Sequence, residues 1–482
     1  MSNSNFLIYP NLDLFTYYLA NGLGQDDKEV YSNYQSFCRL FGNLECLKNF
    51  DDIESENSDY IELLDGEKGY QPLPDNLDGF YYPVKLGDSY ALQINCAGKW
   101  GEPEQRYIPQ TINALATIKN NILDHLQDNN DQGNAIGQTW FVWGQLTTDD
   151  QNAQAIAEEI YQQLSLFAPL DWQKDLKTDL QLTEAKLLGA DCFELWQLPS
   201  DRGTIEQNKH LLICLFPSHL SIKSIGQNIQ KIYPRLMRLF LSRNKIILAY
   251  QQSRDYKKIL KNSAKEVQSI VKALPDKINN SIDPSVDVNL GLLQRELAHT
   301  LNLMSGYAET LSYLEEQKNT IEANFKNYQR LVTDLNLPCL QAFTPIVSEK
   351  YLPQISSDLT SLSSGLRLLE NSVRTIEGII NIEQAKGDRA LNETIFKASQ
   401  EQAEDALKLN QTFIAATAGL ATSQVVSTLV IAYYPAKDKD GNSVSNPIFY
   451  LGSIFILSLV CGSLVFWLVR KILTSKVKLN LA

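Results

Sequence analysis

The sequence predicts an α+β chain in three parts: a cytosolic domain of α/β type, a long helical stalk or coiled-coil bundle, and a two-helix C-terminal transmembrane hairpin. Three observations carry this. Short strand-like runs alternate with amphipathic ones between about Asp78 and Pro217; a proline-free stretch from Gln354 to Asn410 repeats apolar residues at heptad spacing; and two uncharged apolar runs of 22 and 23 residues close the chain. The 482 residues divide accordingly into an irregular acidic region (1–77), the α/β domain (78–234), the long helices (235–412), the hairpin (413–469) and a basic tail (470–482).

The first region holds a run of acids, Asp51, Asp52, Glu54, Glu56, Asp59, Glu62, Asp65 and Glu67, which predicts a solvated loop, with cation binding as the alternative. The opening residues lack both the basic segment and the apolar core of a secretory signal, so the N-terminal bulk is expected in the cytosol. Seven scattered cysteines with no CxxC pair fit a reducing compartment. A net charge of −13 gives no sign of nucleic-acid binding, which needs cations to displace the counterions of phosphates.

In the second region the expected strands are Ala91–Cys96, Thr139–Leu146, Cys192–Leu198 and His210–Phe216, with helices at Pro109–Leu126 and Gln151–Phe167. Strands alternating with helices make a layered α/β or α+β domain.

Three long helices follow. The first is expected over Arg235–Leu274, closed by Pro275, and the second over Asp287–Leu335, closed by Asn336-Leu337-Pro338. In the third, after Pro353, the residues Ile355, Leu359, Leu362, Leu366, Leu369, Val373 and Ile376 step by four and three, a coiled-coil seam. This seam is a candidate oligomer interface, and packing against the two preceding helices is the alternative. No proline interrupts the chain again before Pro435, so a single helix of roughly 120 Å is expected to run from the stalk into the membrane.

The apolar runs are Phe413–Tyr434 and Pro447–Val469. As a helix, 22 residues span roughly 33 Å, enough for a bilayer core. Arg470, Lys471, Lys476 and Lys478 follow the second run with no acid among them, which places both termini in the cytosol and the chain as a two-pass protein of the inner or plasma membrane. Thr412, Ala416, Gly419, Ser423 and Ser427 form a small, polar stripe along the first run, suited either to close helix packing or to lining a pore, with Asn410 then near its inner mouth. Asp358, Glu370 and Glu377 on the stalk are candidates for a divalent cation shared between subunits, against the alternative of plain surface charge. No other cofactor is evident.

Nothing predicts an enzyme. The four histidines, His125, His210, His219 and His299, are dispersed, and no phosphate-binding, metalloprotease or nucleophile-elbow motif occurs. Glu296 and His299 have the spacing of a carboxylate-bridged metal site, but no second copy accompanies them. Glu296 to Asn302 with Gly306-Tyr307-Ala308-Glu309 looks like the phospho-acceptor helix of sensor histidine kinases. The spacing is shorter than in that family, and no Asp-x-Gly-x-Gly follows.

The order of parts (α/β domain, two long helices, a third running into the first span, a short loop, a second span and a basic tail) resembles the CorA magnesium-transporter superfamily over about residues 78–482. The resemblance implies a funnel-shaped homopentamer whose stalk helix and first span line a pore, and so an ion channel or transporter gated by its cytosolic domain. The family's Gly-Met-Asn signature has no counterpart: Tyr433-Tyr434-Pro435 stands in its place, and no signature residue carries over. Some divergent CorA-like proteins accompany type III CRISPR systems, which implies a nucleotide-triggered membrane effector as an alternative. A non-conducting membrane-anchored scaffold is another.

Overall fold

The computed structural model describes residues 6–22, 24–40, 47–56, 58–65, 69–99, 106–126, 134–178, 186–200, 207–282, 290–386 and 447–480, with scattered positions between 399 and 421. The chain forms two compact units, Met1–Asp287 with Arg295–Thr375, and Val288–Gln294 with Ile376–Ala482.

The first unit is built on one sheet. Its elements are β1 (Phe6–Leu19), α1 (Asp27–Arg39), α2 (Phe50–Ser55), β2 (Tyr60–Glu62), β3 (Gln71–Pro72), β4 (Leu77–Leu86), β5 (Ser89–Lys99), β6 (Pro109–Thr111), α3 (Ala114–Asp124), β7 (Ala135–Leu146), α4 (Ala153–Leu164), α5 (Trp172–Asp175), β8 (Lys186–Leu187), β9 (Ala190–Gln197) and β10 (Lys209–Phe216). The strand order is β2-β4-β5-β1-β7-β10-β9-β8, with β3 on β4 and β6 on β1. Pairing is antiparallel except between β7 and β10. The sequence predicts irregular structure up to residue 77 with a solvated loop over the acidic run, and here the structure differs: Asp51, Asp52 and Glu54 lie in α2 and Glu62 in β2. β1 lies mid-sheet, between β5 and β7, and carries Leu12 and Leu14 to one face and Phe15 and Tyr17 to the other. The predicted helix at Pro109 also begins late, because Pro109–Thr111 pairs with β1 instead.

Alternation assigns the two faces. In β10, Leu211, Ile213 and Leu215 pack with α3 and α4 through Ile118, Ile122, Ile156 and Ile160. Leu212, Cys214 and Phe216 point the other way, toward α6 (Ile222–Ile282) and its Ile229, Leu236 and Phe240. Each such side chain, fully buried, contributes about 1.5–3 kcal/mol.

α6 is longer than its two prolines predict. Pro234 costs a hydrogen bond to the carbonyl of Gln230, yet the helix continues, because Ile225, Ile229 and Ile232 before it and Leu236, Met237 and Phe240 after it are all buried. α7 (Leu290–Asp334) ends where the Asn336-Leu337-Pro338 sequence predicts. A 3₁₀ turn (Pro338–Ala342), the single turn α8 (Phe343–Pro345) and a π-helical turn (Ile346–Tyr351) lead into α9 (Leu352–Lys386). The third helical segment thus begins ahead of Pro353, and the π turn immediately before that residue widens the coil where the proline ring would otherwise meet the preceding carbonyls.

Within the first unit α6, α7 and α9 pack on one another. Tyr250 of α6 stacks on Tyr351 at 3.8 Å, and Tyr256 stacks on Tyr313 of α7 at 5.7 Å. Tyr307 of α7 donates its hydroxyl to the Leu362 carbonyl at 2.7 Å, an approach that Gly365 permits: a Cβ there would run into the tyrosine.

In the second unit α10 (Pro447–Asn480) is a continuous 34-residue helix. Among the described residues no helix is long and apolar enough to cross a membrane. In α10 the unbroken run of described side chains is 455–469.

Candidate functional site

The helix α6 lies over a sheet face that is not wholly apolar. Two buried polar clusters sit there, each holding a carboxylic acid.

The first gathers around Asp13 on β1. Its Oδ1 accepts from Gln93 Nε2 at 2.8 Å and Asn95 Nδ2 at 2.9 Å, both on β5, and its Oδ2 accepts from the Tyr233 hydroxyl of α6 at 3.0 Å. Trp143 of β7 donates its indole N–H to the same hydroxyl at 3.2 Å. Asp13 and Asn95 are directly opposed cross-strand partners, so the sheet register delivers one donor and α6 another. Asp13 is fully buried with no cation against it among the described residues, and burial pushes its carboxyl up to about 7, opposed by the neutral donors around it.

The second spans β7, β9, β10 and α6. Neutral His210 orders it: burial, and then the charge of Arg243, hold its imidazole well below the ordinary range. Asn208 Nδ2 donates to Asn244 Oδ1 at 2.7 Å, and Asn244 Nδ2 donates to Thr139 Oγ1 at 3.3 Å. The Thr139 hydroxyl then donates to His210 Nδ1 at 3.0 Å, leaving the Nε2 proton for Glu194 Oε1 at 3.2 Å. Arg243 Nη1 donates to Asn208 Oδ1 at 3.2 Å, and its guanidinium lies 5.1 Å from the Phe343 ring. Gly137, at φ +149°, makes the room: a Cβ there would stand 2.5 Å from Asn244 Oδ1.

Burial pushes Glu194 up to about 7, with Arg243 pulling it back. Glu194 Oε2 and Arg243 Nε and Nη2 have no hydrogen-bond partner among the described residues, and each such buried atom costs about 1–3 kcal/mol. The cluster therefore holds α6 in one register while remaining under tension. Both clusters are buried between the sheet and α6 and do not face solvent.

The sequence-predicted positions fall elsewhere. Ile355, Leu362 and Leu369 of the seam belong to the chain's own core, Leu359 and Leu366 pack at its edge, and Val373 and Ile376 are buried. The packing of α9 with the preceding helices thus covers the 355–369 part of the seam within one chain. Asn410, Thr412 and Ala416 are helical and exposed, whereas Gly419, Ser423 and Ser427 lie outside the described residues. Asp358 is engaged by Arg254 and Lys257 of α6, each at 2.7 Å, which accounts for its charge within the chain. Glu370 and Glu377 are exposed. Among the described residues no group of three or more His, Cys, Asp or Glu could hold a metal ion. His299, on α7, pairs with Glu266 of α6 at 3.0 Å on an exposed face.

Sequence reasoning did not single out Asp13, Glu194, Arg243 or Asn244. One signal was available: an acid inside a strand whose neighbours two residues away on the same face are apolar, as Glu194 stands between Cys192 and Trp196. No family model, no curated protein and no solved structure matches the chain.

Proposed function

We propose that the chain is a two-pass membrane protein of CorA-like organisation, an ion channel or transporter whose cytosolic sheet unit regulates its membrane segments. The observation that carries this is the inverted burial of α10. Phe455, Ile456, Leu457, Leu459, Val460, Leu464, Trp467, Leu468 and Ile472 are exposed, while the described buried positions are the small residues Ser458 and Gly462, one turn apart. At 100° per residue the exposed apolar positions sweep most of the helix circumference. Water disfavours such a surface, whereas lipid accepts it, and small residues one turn apart are how membrane helices approach one another.

The uncharged run of α10 is 23 residues, the run Phe413–Tyr434 is a second of bilayer length, and the basic tail gives both ends a cytosolic side. The exposed Thr412 and Ala416 begin a polar stripe that the sequence continues through Gly419, Ser423 and Ser427, with the exposed Asn410 just before it. Hydroxyls and small side chains along a pore supply oxygen ligands to a cation without trapping it. A pore of this kind needs a homo-oligomer, and by resemblance that is a pentamer.

A second reading has its own observation. Because the 355–369 part of the seam is filled within one chain, a monomer anchored by the hairpin is also consistent, and such a protein conducts nothing.

Flux from proteoliposomes separates the two. The channel reading expects cation movement, tested with magnesium, other cations and candidate nucleotides, that Gly419→Leu or Ser423→Leu abolishes. If no ion moves under any condition, the anchor reading stands.

A further inference from the structure

Between α1 and α2 a surface cleft of about 310 Å³ is lined by Tyr31, Tyr34, Asn49, Phe50, Asp51 and Asp52. Tyr31 and Tyr34 are three residues apart on α1 and so share a side of the helix. Phe50 opens α2 and faces both: its ring lies 5.3 Å from Tyr31 at 78° and 5.5 Å from Tyr34 at 48°. Tyr31 and Tyr34 also lie 6.3 Å apart at 34°, so the three rings pack on one another and form a single aromatic side of the cleft, on whose outer surface a cation would rest. One wall is fixed from behind, because Tyr34 donates its hydroxyl to the Lys48 carbonyl at 2.7 Å and its ring rests 6.1 Å from that of the buried Tyr90.

The charges around the cleft sort themselves. Glu54 pairs with Lys85, and Glu56 with Lys48. Asp51 and Asp52, the two acids that line the cleft, have no ion pair among the described residues. The cleft thus joins aromatic faces, which carry negative charge density, to two carboxylates left without a counter-ion.

We infer that this cleft binds a compact organic cation, a quaternary ammonium group of the choline type with no anion attached. Ring faces attract a cation through their quadrupole and most favour one that gives up little hydration. A quaternary ammonium has no N–H group to satisfy, so aromatic walls suffice. A hard metal cation is held by several carboxylates converging on one point, and among the described residues no group of three or more His, Cys, Asp or Glu could hold one. An attached carboxylate or phosphate would meet Asp51 and Asp52, so glycine betaine and phosphocholine are disfavoured. The inference concerns the first unit and stands whether or not the C-terminal helices cross a membrane.

The test is calorimetric titration of the full chain, in a maltoside detergent at low salt, with choline chloride, glycine betaine and magnesium chloride as probes. Saturable choline binding is expected, weakened about tenfold by Tyr31→Ala or Phe50→Ala and largely kept by Tyr31→Phe. Asp51→Asn together with Asp52→Asn should weaken choline and remove the preference over betaine. Tyr31 is 44% exposed, so its removal should leave the fold intact, and the exposed Asp pair supplies a second set of variants if the aromatic ones melt early. Absence of saturable choline binding, binding unchanged in both Tyr31→Ala and the double Asp variant, equal affinity for betaine, or displacement of choline by magnesium at lower concentration would each overturn the inference.

Discussion

Two helices of this chain, α9 and α10, sort their residues in opposite ways. Along α9 the apolar Ile355, Leu362 and Leu369 are buried and Arg367, Glu370 and Arg374 are exposed. Along α10 the large apolar side chains are exposed and Ser458 and Gly462 are buried. Both helices have the same period, so the difference lies in the solvent each surface suits. The seam of α9 is what water selects, since it hides about 1.5–3 kcal/mol of transfer free energy per side chain. On the proposed membrane reading the surface of α10 is one that lipid accepts, since in lipid tight packing and not apolarity distinguishes inside from outside.

The sharpest way to test that contrast is the same deletion on both helices. Ile355→Ala should lower the stability of the first unit by about 2–5 kcal/mol, read as a fall in its thermal or denaturant midpoint. Leu459→Ala should leave that midpoint within about 0.5 kcal/mol. Equal effects would erase the distinction. A charge probes it from the lipid side: Leu459→Arg should oppose membrane insertion by about 2.5–3.5 kcal/mol, read as loss of the membrane-integrated fraction, whereas Thr360→Arg on the exposed side of α9 should leave that fraction unchanged.

Water-facing and interior polar groups of the first unit offer a smaller test. The carboxyl of Asp13 is held up to about 7 in the folded chain, and on unfolding it returns to about 4. Between those values the folded state binds the extra proton, so this contribution is complete below about pH 4 and is lost as pH rises through 7, by on the order of 2–4 kcal/mol. Glu194, also held up to about 7, acts with the same sign, and neutral His210 acts with the opposite one. The difference between wild type and Asp13→Asn isolates the first group. That difference should favour wild type most at pH 5 and shrink toward pH 8; no change across the range would remove Asp13 from the account. The smallest effect belongs to Asp358, buried beside two cations of which Lys257 stays partly open, where Asp358→Asn should cost about 1–2 kcal/mol at low salt and less at high salt.

The long helices were largely legible in the sequence because their signal is local: the steps of four and three from Ile355 to Ile376 need no partner to be seen. The four expected strands also fall inside or against β5, β7, β9 and β10, whose apolar residues recur closely enough to be seen locally despite Gln93, Asn95 and Glu194 among them. β1 was not legible. Asn11 and Asp13 interrupt its pattern, and what makes an acid tolerable there is Tyr233, 220 residues away, together with Gln93 and Asn95. The two clusters under α6 were hidden for the same reason, since Thr139, Glu194, His210 and Asn244 become one network only when the sheet register brings them together. Pro234 misled in the other direction: a local breaker was outweighed by apolar burial on both sides of it.

The central claim is that the C-terminal runs form a membrane hairpin with both ends in the cytosol, and cysteine accessibility tests it most directly. Ser443→Cys and Ser475→Cys are placed in the full chain and treated in sealed cells with a membrane-impermeant maleimide. The account predicts labelling at 443 in intact cells and at 475 only after permeabilisation. Equal labelling of both sites in intact cells, or protection of 443 until the membrane is opened, would contradict it.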